Sequence, residues 1–329
     1  MILGAFFLFD HLIDRSHNEA RLPIGFIPYT KEPVTEVMIE GQKYPLMIDL
    51  GSSSRLILRN EVLDKIQKTP LRDTRSIDIR GNEYSSKIYL LPEMKIRNLT
   101  LKKIETTAED DDFLLKGSLL YSDTARTNDD ILKDKPGRIG RQLFIDIDFN
   151  LFLDFHNSLM FVCNHLADRK KDGYRVVKFV SAPFELDSKG GIILNIDTDI
   201  GVKRFMLDTG CTRSLLKPSV IEGLESTEWN PGLFSWHSSK FSFGGQGFGS
   251  LDFLLVEMAP IFSKIDGMIG MDFLKEHVVY IDFQKKRAYI GKSDECLPAE
   301  KISWLETCKD YFSEMKQQAQ EFFALSGRN

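Results

Sequence analysis

Short apolar runs alternating with polar positions dominate the chain, and Gly, Asn and Asp punctuate them at close intervals. A period of two puts every second side chain on one face, so this pattern predicts many β-strands joined by turns. Residues 34–39, 76–79, 88–91, 192–196, 251–256 and 278–283 read as strands on this basis. A period near 3.6 is clear only at the end. Between 301 and 325, Trp304, Leu305, Phe312, Met315, Phe322 and Phe323 fall near one face, which predicts a helical tail over 296–329 docked on the body.

Three segments occur twice in the same order, an internal repeat that bears on the whole fold. Leu46-Met47-Ile48-Asp49-Leu50-Gly51-Ser52 returns as Phe205-Met206-Leu207-Asp208-Thr209-Gly210-Cys211. Gly81-Asn82-Glu83-Tyr84 returns as Gly245-Gln246-Gly247-Phe248, each leading into Leu-Leu-x-Glu-Met. Gly137-Arg138-Ile139-Gly140 returns as Gly267-Met268-Ile269-Gly270, each running into an apolar strand that holds Asp-Phe. The first two pairs are about 160 residues apart and the third about 130, which places extra sequence in the first half, over 102–136. Its acidic blocks, Glu109-Asp110-Asp111-Asp112 and Asp129-Asp130, suit a solvated loop better than a calcium site, because the EF-hand spacing is missing. The polar, basic stretch 164–173 separates the halves. The expected architecture is all-β and bilobal, with two pseudo-twofold-related β-barrel lobes over 1–168 and 169–295 and a C-terminal helix after them.

Composition narrows the function. The 329 residues carry 43 Lys+Arg against 48 Asp+Glu, a net charge of −5, which argues against nucleic acid as a partner because phosphate binding needs a concentrated basic surface. The apolar start, residues 1–9, is far shorter than the ~20 residues a membrane span needs. It reads as a buried strand or helix start, with a trimmed signal peptide as the alternative. The expectation is a soluble monomer, cytoplasmic or exported. Four cysteines form no CxxC pair; Cys296 and Cys308 are either a disulfide or two reduced thiols.

Each copy of the repeat sets one carboxylate directly after three apolar residues and shortly before a glycine. That pattern suggests a buried strand delivering a charge at its end, with Gly allowing a tight turn and close backbone approach. An isolated buried carboxylate is costly, but two related by a pseudo-twofold axis can meet and share a proton. One then serves as acid and the other as base, which suffices to activate a water without a metal or a nucleophilic side chain.

At these residues the chain resembles the pepsin-like and retropepsin-like aspartic proteases. Asp208-Thr209-Gly210 and its apolar run match the family's signature, Asp49-Leu50-Gly51-Ser52 matches except at Leu50, and Ile139-Gly140 and Ile269-Gly270 match the apolar-Gly element beside the catalytic loops. The resemblance implies that Asp49 and Asp208 hold the lytic water, Gly51 and Gly210 shape the loops, and Ser52 supports a carboxylate through its hydroxyl. It further implies that Thr209 forms half of an interlock of hydrogen bonds beneath the pair, the other half being absent at Leu50. It also implies flaps: Gly81 and Tyr84 in the first half, Gly245 and Phe248 in the second, two hairpins leaning towards the retropepsin-like arrangement. The implied function is endopeptidase action on an extended polypeptide without metal or cofactor. The competing reading is a catalytically weak or inactive protein that keeps the fold and binds peptides.

Other constellations are weaker. The six histidines have no HExxH spacing, no GxSxG elbow is present, and Cys211 suits a buried, inert thiol. Trp229, Trp236 and Phe234 suit core packing or a loop anchor, with a cleft lining as the alternative.

Overall fold

The computed structural model describes residues 19–27, 31–109 and 137–296. The first half runs β1 (Ala20–Pro23), β2 (Gly25–Phe26), β3 (Pro33–Ile39), β4 (Gln42–Asp49), β5 (Leu56–Arg59), β6 (Thr69–Ile77), β7 (Glu83–Ile96), β8 (Leu99–Glu109), β9 (Gly137–Gly140), β10 (Asn150–Asp154) and β11 (Leu159–Cys163). The second runs β12 (Val180–Leu186), β13 (Ile192–Thr198), β14 (Gly201–Leu207), β15 (Leu215–Leu216), β16 (Thr227–Asn230), β17 (Leu233–Ser238), β18 (Phe241–Phe243), β19 (Gln246–Gly247), β20 (Leu251–Leu255), β21 (Gly267–Ile269), β22 (His277–Asp282) and β23 (Arg287–Lys292). Among the described residues four short α-helices interrupt them: α1 (Asn60–Leu63), α2 (Arg141–Asp146), α3 (Met271–Leu274) and α4 (Ser293–Cys296).

The duplication read from the sequence is visible as strand order. One lobe runs β3-β4-β9-β5-β8-β7-β6 and the other β13-β14-β21-β15-β20-β17-β16, with the same parallel and antiparallel neighbours at every step. In both, a strand leading to an aspartate lies parallel to the Gly-x-Ile-Gly segment: Ile48 opposite Ile139 in β4–β9, Leu207 opposite Ile269 in β14–β21. These strands are apolar because both their faces are covered; Leu46, Ile48, Ile139, Phe205, Leu207 and Ile269 are all buried.

The lobes meet in a shared six-stranded sheet. The two Asp-Phe strands of the repeat, β10 and β22, pair antiparallel with Leu151 opposite Ile281. Outward from that pair follow β11 and β1 on one side and β23 and β12 on the other. The fold is therefore all-β and bilobal, with a pseudo-twofold axis between β10 and β22.

Three expectations shift. Residues 102–109 belong to β8, so the extra sequence starts after Glu109; 110–136 lie outside the described residues, as does most of the tail over 296–329, of which Cys296 ends α4. The boundary near 168 falls in a 3₁₀ turn, Leu166–Lys170, but β1, β10 and β11 leave the first lobe to build the shared sheet. The glycine hairpins are not equivalent to each other. By strand order the counterpart of the β6–β7 hairpin is β16–β17, with Pro231-Gly232 at its turn, whereas Gly244-Gly245 joins β18 to β19. Short Gly-rich turns look alike in sequence, and pairing order separates them.

Candidate active site

Two loops leave β4 and β14 and fold back on themselves alike. The Ser52 N–H donates to the Asp49 carbonyl (3.2 Å) and the Cys211 N–H to the Asp208 carbonyl (3.4 Å). The next element closes each loop: Arg141 N–H donates to the Ser52 carbonyl (3.2 Å), Met271 N–H to the Cys211 carbonyl (2.8 Å). Each acid then crosses to the opposite loop. A methyl group on Gly51 would lie 2.3 Å from the Asp208 carboxyl carbon, and one on Gly210 2.7 Å from Asp49 Oδ1. Glycine is required at both positions by this reciprocal approach, since no Cβ tolerates contacts below 3.0 Å.

Thr209 fastens the loops together. Its hydroxyl donates to the Ile48 carbonyl (2.6 Å) and accepts from the Leu50 N–H (2.9 Å), both bonds buried. Leu50 occupies the matching position in the first loop and is fully buried in the apolar core. The interlock is thus half polar and half hydrophobic.

The electrostatic surroundings of the acids differ. Asp49 Oδ1 accepts the Ser52 N–H (3.0 Å), and Oδ2 accepts Arg138 Nη1 (3.1 Å). Arg138 is itself paired with buried Glu109. Asp208 Oδ1 accepts the Gly210 N–H (2.9 Å). Burial, reinforced by the negative charge of Asp49, pushes the Asp208 carboxyl up to about 7, against the pull of Gly210, Arg141 and Arg138. Arg141, almost wholly buried, donates through Nη1 to the carbonyls of Leu50 (3.0 Å) and Gly51 (2.5 Å), and through Nη2 to that of Lys189 (2.9 Å). It ties the first loop to a hairpin of the other lobe.

The acids stand in a cleft of about 1290 Å³ between the lobes. Ile57, Ile88, Thr107 and Arg138 line the first-lobe wall, and Met206, Leu215, Leu254 and Met268 the second. The β6–β7 hairpin overhangs it. At its tip Asp78 accepts bonds from the N–H groups of Arg80 and Asn82, from Asn82 Nδ2 and from the Tyr84 hydroxyl, which stiffens the turn around Gly81. The Ala259 N–H donates to the Ile79 carbonyl (2.8 Å), and Ile79 packs on an apolar cluster of the second lobe that contains Met206 and Met268. The hairpin tip spans the cleft.

The structure brings Asp49, Asp208, Gly51, Ser52, Thr209 and Gly210 together. Ser52 supports Asp49 through its backbone N–H, and its hydroxyl accepts from the Ser54 N–H (3.3 Å). Gly81 lies at the flap tip beside Ala259, and Tyr84 is turned onto Asp78 rather than into the cleft, which Ile77 and Ile79 line instead. Gly245 and Phe248 are corrected: they stand apart from the cleft, with Phe248 packed edge-on against Phe273 (5.9 Å) and His277 (5.2 Å). Trp229, on the hairpin that matches the flap, lines the cleft beside Arg213, whereas Trp236 is stacked on Phe253 in the core. Cys211 donates its thiol to the Arg213 carbonyl (2.9 Å), and burial together with Asp208 raises its pKa, so it stays protonated. Cys296 is a free buried thiol.

Arg138, Arg141 and Glu109 were missed by the sequence reading. Two of them had a signal there: the repeat aligns Gly-Arg-Ile-Gly-Arg with Gly-Met-Ile-Gly-Met, and the only changes between the copies are two charges.

Among solved structures the chain is similar to basic 7S globulin from soybean (TM-score 0.53, 12% identity, covering 84% of this chain and 95% of that one). It is similar also to the aspartic proteinase from Irpex lacteus (TM-score 0.50, 14% identity, 83% and 97%) and to conglutin gamma, a basic 7S globulin from lupine seeds (TM-score 0.50, 9% identity, 84% and 95%). No family model matches the chain and no curated protein is similar to it in sequence. The fold is therefore the one that these globulins and the aspartic proteinase share; at these identities the likeness speaks to the fold alone. No helix among the described residues is long and apolar enough to cross a membrane.

Proposed function

We propose that this chain is an aspartic-type endopeptidase in which Asp49 and Asp208 activate a water for attack on a peptide carbonyl. The observation that supports it is the reciprocal approach of each carboxylate to the glycine of the opposite loop, on the floor of a cleft with a hairpin above it. Two such acids share one proton, so one removes a proton from the water while the other protonates the departing amine. The chemistry calls on no metal and no cofactor. An extended polypeptide suits the cleft, because strand-like backbone bonding to the flap leaves alternate side chains to reach the walls. Met206, Leu254 and Met268 favour an apolar side chain on the second-lobe side.

A second reading, a peptide-binding module that has lost catalysis, draws on Leu50 and on the occupation of Asp49 by Arg138. Incubation with a diverse peptide library from acidic to neutral pH separates the two. Cleavage by the wild type that disappears in Asp208→Asn supports the peptidase. Peptide retention without cleavage at any pH supports the binder.

A further inference from the structure

The two halves offer their acids the same backbone and differ in what stands beside it. Arg138 lies opposite Met47 in β4–β9, and Met268 lies opposite Met206 in β14–β21. These are equivalent positions, one cationic and one apolar. We propose that Arg138, held from behind by Glu109, is a positioning residue that keeps Asp49 ionised as the base of the pair and leaves the shared proton on Asp208. The base and acid roles rest on the peptidase reading; the location of the proton does not.

The argument is one of bond geometry. Both oxygens of Asp49 are engaged by donors that favour the charged form, Ser52 N–H on Oδ1 and the Arg138 guanidinium on Oδ2. Glu109 takes the other end of the same guanidinium, and since Glu109 is 4% exposed, Arg138 is anchored at a fixed distance from Asp49. Asp208 accepts a backbone N–H from Gly210 and, among the described residues, meets no guanidinium hydrogen bond of this kind. Arg141 acts on both acids through its charge, but its Nη hydrogen bonds go to the carbonyls of Leu50, Gly51 and Lys189 rather than to a carboxylate. The remaining charged groups around the site do not reverse this. Cys211 is held neutral, Asp272 is bonded to Ser214, and the charges of Asp187 and Glu32 fall on Arg141 and Cys211 respectively. The raised pKa of Asp208 agrees with a proton resting there.

The test is a ¹³C-carboxyl NMR titration of aspartate-labelled protein, with the two resonances assigned through Asp49→Asn and Asp208→Asn. In the wild type the pH-dependent carboxyl resonance should be that of Asp208, with a midpoint of about 7, and the Asp49 resonance should not follow it. Arg138→Met, which copies the second lobe, should move the Asp49 midpoint up by about 1–3 pH units, and Arg138→Lys, which keeps the charge, should restore most of the wild-type behaviour. Because Arg138→Met strands Glu109, the double variant Arg138→Met/Glu109→Gln repeats the measurement without that buried charge and should show the same movement. The cleavage optimum should move upward in step. An unmoved Asp49 midpoint in both Met variants, or a wild-type proton found on Asp49, would overturn the proposal. If the midpoint moves but no peptide is cleaved, the peptidase reading fails and the proton assignment stands.

Discussion

The two acid loops share a backbone and differ in their electrostatics. Residues 49–52 bond to Arg138 and Arg141; beside residues 208–211 the equivalent positions are Met268, opposite Met206, and Met271, bonded to Cys211. Symmetry of the fold is what brings two carboxylates to one place, and an unequal distribution of charge is what makes them chemically distinct. A perfectly symmetric pair would divide its proton evenly. Here Asp49 is paired with a guanidinium, while Asp208 has its carboxyl raised by burial and by its partner.

The largest effect expected from breaking this contrast is on turnover. Either Asp49→Asn or Asp208→Asn should lower peptide cleavage by about 10²–10⁴-fold, the usual worth of a general acid or base, measured as kcat/KM on a cleaved library peptide. Stability should then distinguish the two changes. Asp49→Asn leaves Arg138 short of one buried partner and should destabilise by about 3 kcal/mol, the low end for a broken buried pair because Glu109 remains. Asp208→Asn should do the reverse with pH. A carboxyl raised from its ordinary 3.8 to about 7 binds its proton more tightly folded than unfolded, so its contribution is fully present below about pH 4 and is lost as pH rises through about 7. Denaturant titrations should therefore find Asp208→Asn gaining on the wild type as pH rises across that window and level with it below. A pH-independent difference would show that Asp208 does not hold the proton.

The interlock offers a smaller contrast. Thr209→Val removes the hydroxyl that serves Ile48 and Leu50, stranding a buried carbonyl and a buried N–H, and should cost about 1–3 kcal/mol in urea denaturation. Leu50→Thr, the mirror change, exchanges core burial for a second hydroxyl and should preserve or raise activity. A large loss of activity would mean that Leu50 is adapted to this site. The smallest effect expected is at the flap. Ala259→Pro removes the N–H that reaches Ile79 at a φ of −54°, which proline accepts, and should raise KM about 5-fold with kcat little changed, the worth of roughly 1 kcal/mol.

Much of the fold was legible because β-strands reveal themselves locally. Side-chain alternation marks 34–39, 192–196 and 278–283, and these are covered by β3, β13 and most of β22. The acids were legible for a different reason. A duplication shows equivalent positions twice, and a buried charge at a strand end has few explanations. The flap pairing misled because Gly-rich turns of similar composition occur at Gly81 and Gly245, while the true counterpart, Pro231-Gly232, shares little with Gly81 beyond its place in the strand order. Tyr84, a flap residue by resemblance, turns its hydroxyl onto Asp78 six residues away, a contact that no local pattern announces.

From the chain alone came the strand content, the two-copy design and the identity of Asp49 and Asp208, because periodicity and repetition are written in residue order. Which of the acids meets a guanidinium was decided only by the tertiary structure. Arg138 is 89 residues from Asp49, and Asp208 a further 70 beyond Arg138. Proton affinity in a buried site depends on which charges lie within a few ångströms, a relation that the parallel pairing of β4 with β9 creates and that no local pattern encodes.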